Sequence, residues 1–168
     1  GAAIQAMKDV TTIVLDKTGT VTEGKPRVTD VVPIGEDAAD LVLGVAASAE
    51  TGSEHPLGRA IVDHAREHDV RFQEASGFEA VTGRGITAHV DGKMVRVGTS
   101  AFLEGAGFVI DDRAVQAAAE LEKQAKTVMF VTRGDDALGL IAVADTLKPD
   151  SAAAVKALVE LGLEPVMI

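Results

Sequence analysis

Near the start of the chain the apolar run Ile13-Val14-Leu15 ends in a carboxylate, Asp16, and Gly19 breaks the pattern three residues later. Such a run reads as a short buried strand that opens into a loop. A parallel partner for it must be reached through a crossover, and the matching signals stand at the far end of the chain. Residues 138–144 are apolar and end at Asp145, and Pro149 then opens a helical pattern with Val155, Leu158, Val159 and Leu161 as its inward stripe. Residues 164–168 are strand-like again. The two ends therefore predict one strand–helix–strand unit with parallel strands, interrupted by a long insertion.

Inside the insertion the pattern changes. Residues 37–49 and 56–68 have helical periodicity, the second with Leu57, Ile61, Val62 and Ala65 on one face. Alternating runs follow at 78–81, 86–90 and 93–97, and Asp91-Gly92 between the last two is a strong hairpin signal. An Ala-rich helix over 111–125 and a strand over 127–131 complete the middle. The predicted class is α/β with an α+β insert: an antiparallel sheet with flanking helices set into an incomplete parallel α/β domain. The crossings fall near 24–26 and 142–145, which divides the chain into 1–23, 24–142 and 143–168.

Composition narrows the chemistry. The 168 residues are 46% hydrophobic and 25% charged, enough to bury a core. The absence of cysteine excludes disulfides and thiolate metal sites, leaving His and oxygen donors for any metal. A net charge of −10 opposes phosphate backbones and anionic lipid, so nucleic acid is not an expected partner. The longest apolar stretch, residues 137–144, is far short of the roughly 18 residues of a membrane span. Gly1 opens no signal peptide, and the chain as given is expected to be soluble.

The segment Asp16-Lys17-Thr18-Gly19-Thr20-Val21-Thr22 is the most informative. A carboxylate at the C-terminal end of a parallel strand lies where open α/β sheets present ligands. It can take up a phosphoryl group without losing a proton, since ordinary aspartates titrate near ~3.9. The obstacle is repulsion between anions, which Mg²⁺ and a cation such as Lys17 would neutralise. Gly19 allows a tight turn, and the Thr18, Thr20 and Thr22 hydroxyls can bind loop backbone or phosphate oxygens. As an isolated Asp-x-Thr-Gly, the same residues also read as a strand-ending Asp-Lys pair that caps a turn.

Over its full length the segment resembles the phosphorylation signature of P-type ATPases, ion pumps that form an aspartyl-phosphate, and Val21-Thr22-Glu23-Gly24 resembles its usual continuation. The resemblance implies that Asp16 is the phosphorylated residue and that Lys17 and Thr18 belong to the catalytic loop. It also implies that Mg²⁺ sits on the Asp16 carboxylate and the Thr18 backbone carbonyl, and that the split unit is a haloacid-dehalogenase-like phosphorylation domain. Related phosphatases carry a second Asp two positions after the nucleophile as acid and base. Thr18 stands there instead, which favours a pump whose covalent phosphate must persist.

A second segment, Glu50-Thr51-Gly52-Ser53-Glu54-His55-Pro56-Leu57, joins the two middle helices. Pro56 at a first helical position, with Ser53 or His55 at the cap, explains it without a ligand. Gly83-Arg84-Gly85 alone reads as turn or bulge glycines. Taken together, Ser53-Glu54-His55-Pro56-Leu57 and the later Gly-x-Gly resemble the nucleotide-binding domain of heavy-metal-transporting P-type ATPases, over nearly the whole chain. The resemblance implies an ATP pocket lined by Glu50, His55, Gly83 and Gly85. A carboxylate can accept from the adenine amino group, an imidazole can pack on or orient base and phosphates, and glycines admit close backbone approach.

Where the family usually has Gly-Asn after the hairpin, this chain has Gly98-Thr99, so Thr99 offers a hydroxyl in place of an amide. Asp145-Thr146-Leu147-Lys148 resembles the hinge motif that holds Asp145 and Lys148 near the bound phosphates; alone, it reads equally as a strand-end Asp and a solvated Lys. Glu54 reads as a helix-start carboxylate, Lys126-Thr127 as a strand start, and His64 with His68 as a solvated helix face. His89 has no readable role.

The expectation is thus the cytosolic ATP-binding region of a heavy-metal pump, with copper(I) as the cargo expected from Glu54-His55-Pro56. It would hold a complete nucleotide-binding domain and an incomplete phosphorylation domain, whose Thr-Gly-Asp, Lys and Gly-Asp elements would lie beyond Ile168. ATP and Mg²⁺ are the implied cofactors. The implied partners are the membrane and metal-binding domains of the parent pump, at the cytosolic face of the cell membrane, and such a piece should bind ATP with little hydrolysis. A soluble haloacid-dehalogenase-like phosphatase and a non-catalytic nucleotide-sensing module stand beside this reading.

Overall fold

The computed structural model describes residues 10–36 and 38–168. In chain order the elements are β1 (Thr12–Leu15), β2 (Thr22–Pro33), α1 (Ala39–Glu50), α2 (Pro56–Glu67), β3 (Ser76–Val81), β4 (Gly85–Val90), β5 (Lys93–Gly98), α3 (Ser100–Gly105), α4 (Asp112–Lys123), β6 (Thr127–Arg133), β7 (Asp136–Leu147), α5 (Ser151–Glu160) and β8 (Glu164–Met167). The chain divides into two compact units, one that ends at Lys25 and resumes at Asp145, and one running Pro26–Ala144. Both crossings lie two residues beyond the boundaries at 23 and 142 read from sequence. The Lys25 backbone N–H donates to the Asp145 carboxylate at 3.0 Å, which ties both residues to the first unit.

In the first unit β1 pairs with β8 in parallel, Thr12 opposite Glu164 and Leu15 opposite Met167. The partner of the first strand is therefore β8, and β7 belongs to the other sheet. Nor is β1 buried: Val14 is 58% exposed. The helix α5 begins at Ser151, with Pro149 in the turn before it, so the expected start at Pro149 moves two residues on. Of its expected inward stripe, Val155 and Leu158 are half-buried, while Val159 and Leu161 are exposed. Two strands offer too narrow a face to cover four positions of one helix.

The second unit holds most of a six-stranded sheet ordered β2-β7-β6-β5-β4-β3, antiparallel from β7 through β3, with the first residues of β2 and the last of β7 belonging to the first unit. The Asp91-Gly92 hairpin forms as expected, with positive φ at both residues (50° and 71°), as a type I′ turn requires. The apolar run in β7 comes from burial on both faces. Leu138, Ile141 and Val143 join the core under α1, with Val42 and Ala46, while Leu140 and Ala142 join a second core with Leu103, Ala114, Ala118 and Leu121 of α3 and α4. A register shift between Val131 and Thr132 lets Leu138 and Leu140 enter different cores. Each fully buried aliphatic side chain contributes about 1.5–3 kcal/mol.

Two elements were not expected. Gly24 and Pro26 disguise β2, which tolerates a proline because it is the edge strand. The six-residue α3 is too short to show periodicity. The first middle helix was expected from Asp37, which lies outside the described residues; α1 starts at Ala39 and is buried from Val42 through Glu50. No helix among the described residues is long and apolar enough to cross a membrane.

Candidate functional site

The aspartate loop is a single turn. Thr18 (φ −78°, ψ 120°) and Gly19 (φ 78°, ψ −12°) have the dihedrals of a type II turn, whose second central position requires glycine or a close substitute. Asp16 stands exposed at the end of β1, and its carboxylate accepts the Thr18 N–H at 3.1 Å. The turn is anchored to β8, since Ile168 N–H donates to the Leu15 carbonyl and Lys17 N–H to the Ile168 carbonyl, both at 3.0 Å.

Beneath the turn lies a polar frame. Thr22 is fully buried, and its hydroxyl accepts the Gly19 N–H at 3.2 Å. The hydroxyl proton faces both the Asp145 carboxylate and the Lys17 carbonyl and can serve only one of them. The Lys148 ammonium donates to the Gly19 carbonyl at 2.7 Å, and the Ser151 hydroxyl to the Val21 carbonyl at 2.6 Å. The structure thus gathers Asp16, Lys17, Thr18, Asp145 and Lys148 around one turn. Sequence reasoning named Thr22 only as one of several loop hydroxyls and missed Ser151, whose role depends on a backbone carbonyl 130 residues away in sequence.

The donor set suits Mg²⁺. Hard divalent cations take oxygen ligands, and the Asp16 carboxylate with the Thr18 carbonyl would supply two on an exposed loop.

In the second unit Glu50 closes α1 and is only 5% exposed. Its Oε2 has no hydrogen-bond partner among the described residues. Burial pushes its pKa up, and the Ser53 side chain offsets this in part. Gly58 of α2 packs against this carboxylate. A Cβ there would overlap Oε2 and stand 2.6 Å from the Ser53 hydroxyl. His55 is the N-cap of α2: its Nδ1 accepts the Leu57 N–H at 3.2 Å, leaving Nε2 available, and Pro56 holds the first helical position as expected.

Gly83 has φ 70° and open space where a side chain would be. Gly85 pairs with Gly98 across β4 and β5, and a Cβ on Gly85 would stand 2.7 Å from the Gly98 Cα and 3.0 Å from the Phe102 ring. Close packing alone therefore accounts for Gly85. Thr99 donates its N–H to the Arg84 carbonyl at 2.9 Å, and its hydroxyl caps α3 by accepting the Phe102 N–H at 3.2 Å. The structure brings Gly83, Gly85 and Thr99 to one end of the hairpin. Gly52, between Glu50 and His55, lies against Phe78 of β3, and Val81 of the same strand pairs with Gly85. Three residues of strand, about 10 Å, thus connect the surroundings of the two groups. Sequence reasoning missed Gly58 and Phe78. A separate groove of about 280 Å³, lined by Asp40, Ser48, Arg71, Gln73, Asp91, Arg133 and their neighbours, includes none of the candidate site residues named from sequence.

Residues 10–168 match the haloacid dehalogenase-like hydrolase family model. The chain belongs to that family. A copper-transporting P-type ATPase of Rhizobium leguminosarum bv. viciae is 47% identical over 98% of this chain, which spans only 20% of that relative. Among solved structures, a zinc-transporting PIB-type ATPase in the E2·Pi state matches with a TM-score of 0.82 at 37% identity, over 99% of this chain and 26% of its own. The N-domain of HMA8, a copper-transporting P-type ATPase, matches with a TM-score of 0.59 at 29% identity, over 70% of this chain and 99% of its own. These relatives bear out the resemblance to heavy-metal P-type ATPases drawn from the Asp16 and His55 segments.

Proposed function

We propose that this haloacid dehalogenase-like chain is the ATP-binding and phosphoryl-accepting cytosolic part of a heavy-metal P-type ATPase. The observation that carries the reading is the Asp16 turn, an exposed carboxylate ahead of a type II turn with Asp145 and Lys148 assembled beneath it. An Asp16 oxygen attacks the γ-phosphorus of ATP, a new P–O bond forms as the bond to the bridging oxygen breaks, and ADP leaves with that oxygen. The Thr18 N–H orients the carboxylate, and the exposed Lys17 offsets negative charge. When bound at the Asp16 carboxylate and Thr18 carbonyl, Mg²⁺ supplies further charge neutralisation.

In this reading residues 24–142 form the nucleotide-binding domain, and 1–23 with 143–168 belong to the phosphorylation domain. Glu50, His55, Gly83, Gly85 and Thr99 hold the nucleotide. Glu50 accepts from the base, relieving its buried and unpartnered oxygen, and His55 presents Nε2. Copper(I) is the proposed cargo, in keeping with the name of the Rhizobium relative; zinc, named for the structural neighbour at lower identity, is the alternative. The proposed partners are the membrane and metal-binding domains of the parent pump, at the cytosolic face of the membrane.

Calorimetric titration with ATP tests the pocket. His55→Ala or Glu50→Ala should weaken binding by roughly 1–3 kcal/mol, and isotherms identical to the parent chain would refute the assignment. Turnover of p-nitrophenyl phosphate by this chain would favour a phosphatase.

A further inference from the structure

The last turn of α2 carries a cluster that the nucleotide reading does not use. Ligating atoms of His64, Glu67 and His68 all lie within 4.8 Å of one another. The two rings lie side by side in a tilted arrangement, with centroids 4.1 Å apart and planes inclined by 38°. The His68 Nδ1 stands 2.9 Å from the His64 backbone carbonyl, and a carbonyl only accepts, so Nδ1 carries the proton and donates it. The free lone pair of His68 is therefore on Nε2. Metal-binding histidines commonly hold their second nitrogen in this way, on a backbone carbonyl.

We propose that His64, Glu67 and His68 form a binding site for a divalent transition cation of the Zn²⁺, Ni²⁺ or Cu²⁺ class. Two imidazoles and a carboxylate suit those ions better than Mg²⁺ or Ca²⁺, which prefer all-oxygen sites. Three protein donors leave outer positions for water. The site lies at the C-terminal end of a helix, where the backbone carbonyls favour a cation. Burial, and then the neighbouring His68, hold the His64 ring below its ordinary pKa. Arg66, the cation between the ligands in sequence, is drawn off by Asp63 at 3.2 Å and by the Phe72 ring at 5.8 Å. The pair expected to be a solvated helix face thus acquires a third donor, Glu67.

The test is competition for Zn²⁺ between the intact chain and a chromogenic chelator, with thermal melts of each protein in chelator alone to confirm that it is folded. One Zn²⁺ per chain should bind, with the affinity reduced on the order of tenfold or more in His68→Gln and abolished above background in the His64→Gln/His68→Gln double variant. Glu67→Gln should fall between the parent and His68→Gln. A folded double variant that competes for Zn²⁺ as well as the parent would overturn the site, and a Glu67→Gln curve superposed on the parent would overturn its three-donor form.

Discussion

Around Asp16 the reactive side chains are exposed and the buried atoms form a satisfied hydrogen-bonded frame, whereas around Glu50 the ionisable group is itself buried and left short of a partner among the described residues. A satisfied frame holds a turn in place and stabilises the fold. A buried carboxylate without its full set of donors destabilises the fold and is relieved when a ligand supplies one. Polar substitutions should therefore have opposite signs in the two units.

The largest effect should come from Gly58→Ala, because the added methyl would overlap the buried Glu50 carboxylate and crowd both the hydroxyl and the Cβ of Ser53, whose hydroxyl accepts the His55 N–H. Overpacking of this kind costs about 1–3 kcal/mol, and ATP binding should be lost with it. Wild-type melting and an unchanged isotherm would break the comparison on the Glu50 side. Next comes Thr22→Val in the Asp16 frame. It keeps the shape but removes the acceptor for Gly19 and a donor to Asp145, and should destabilise the first unit by about 1–3 kcal/mol in chemical denaturation.

Glu50→Gln should do the reverse, raising the stability of the second unit by roughly 1 kcal/mol near neutral pH while weakening ATP binding. The sign follows from linkage. A raised folded-state pKa means that the folded unit holds the proton more tightly than the unfolded chain, so stability falls as pH rises from the ordinary carboxylate range through the raised value. Glu50→Gln should flatten that slope, and a variant less stable than the parent would contradict the account.

The smallest effect belongs to the Asp30–Lys126 pair at 2.7 Å. Lys126, and then Thr29, hold the Asp30 pKa below its ordinary value, so this contribution is present above the ordinary carboxylate range and is lost as pH falls through the lowered value. Asp30→Asn should cost about 0.5–1 kcal/mol at neutral pH and nothing in strong acid, as measured by denaturation at both pH values.

Much of this was legible in the sequence wherever a local rule decides the structure. Asp91-Gly92 forms its hairpin, Pro56 begins α2, and Asp16 ends a parallel strand. Local rules failed where a tertiary neighbour decides. The apolar run of β7 looked like a parallel strand because both its faces are buried, yet β6 and β2 occupy its two edges. Edge placement made Pro26 compatible with β2. In the sites, the α2 cap was narrowed from sequence to Ser53 or His55 and falls to His55, whereas Thr99 was named from a motif with no sign of its cap on α3. The packing of Gly58 on Glu50 and the bond from Ser151 to Val21 join positions whose proximity no pattern of spacing reveals.

The central claim is that Asp16 accepts the phosphoryl group. Its most direct test is to incubate the full-length parent protein with ATP, Mg²⁺ and the transported metal, quench in acid, and locate the phosphoryl group by peptide mass spectrometry. The account expects one hydroxylamine-labile phosphoryl group on Asp16 and none in Asp16→Asn. A phosphoryl group that persists in Asp16→Asn, or that maps to another residue, would contradict it.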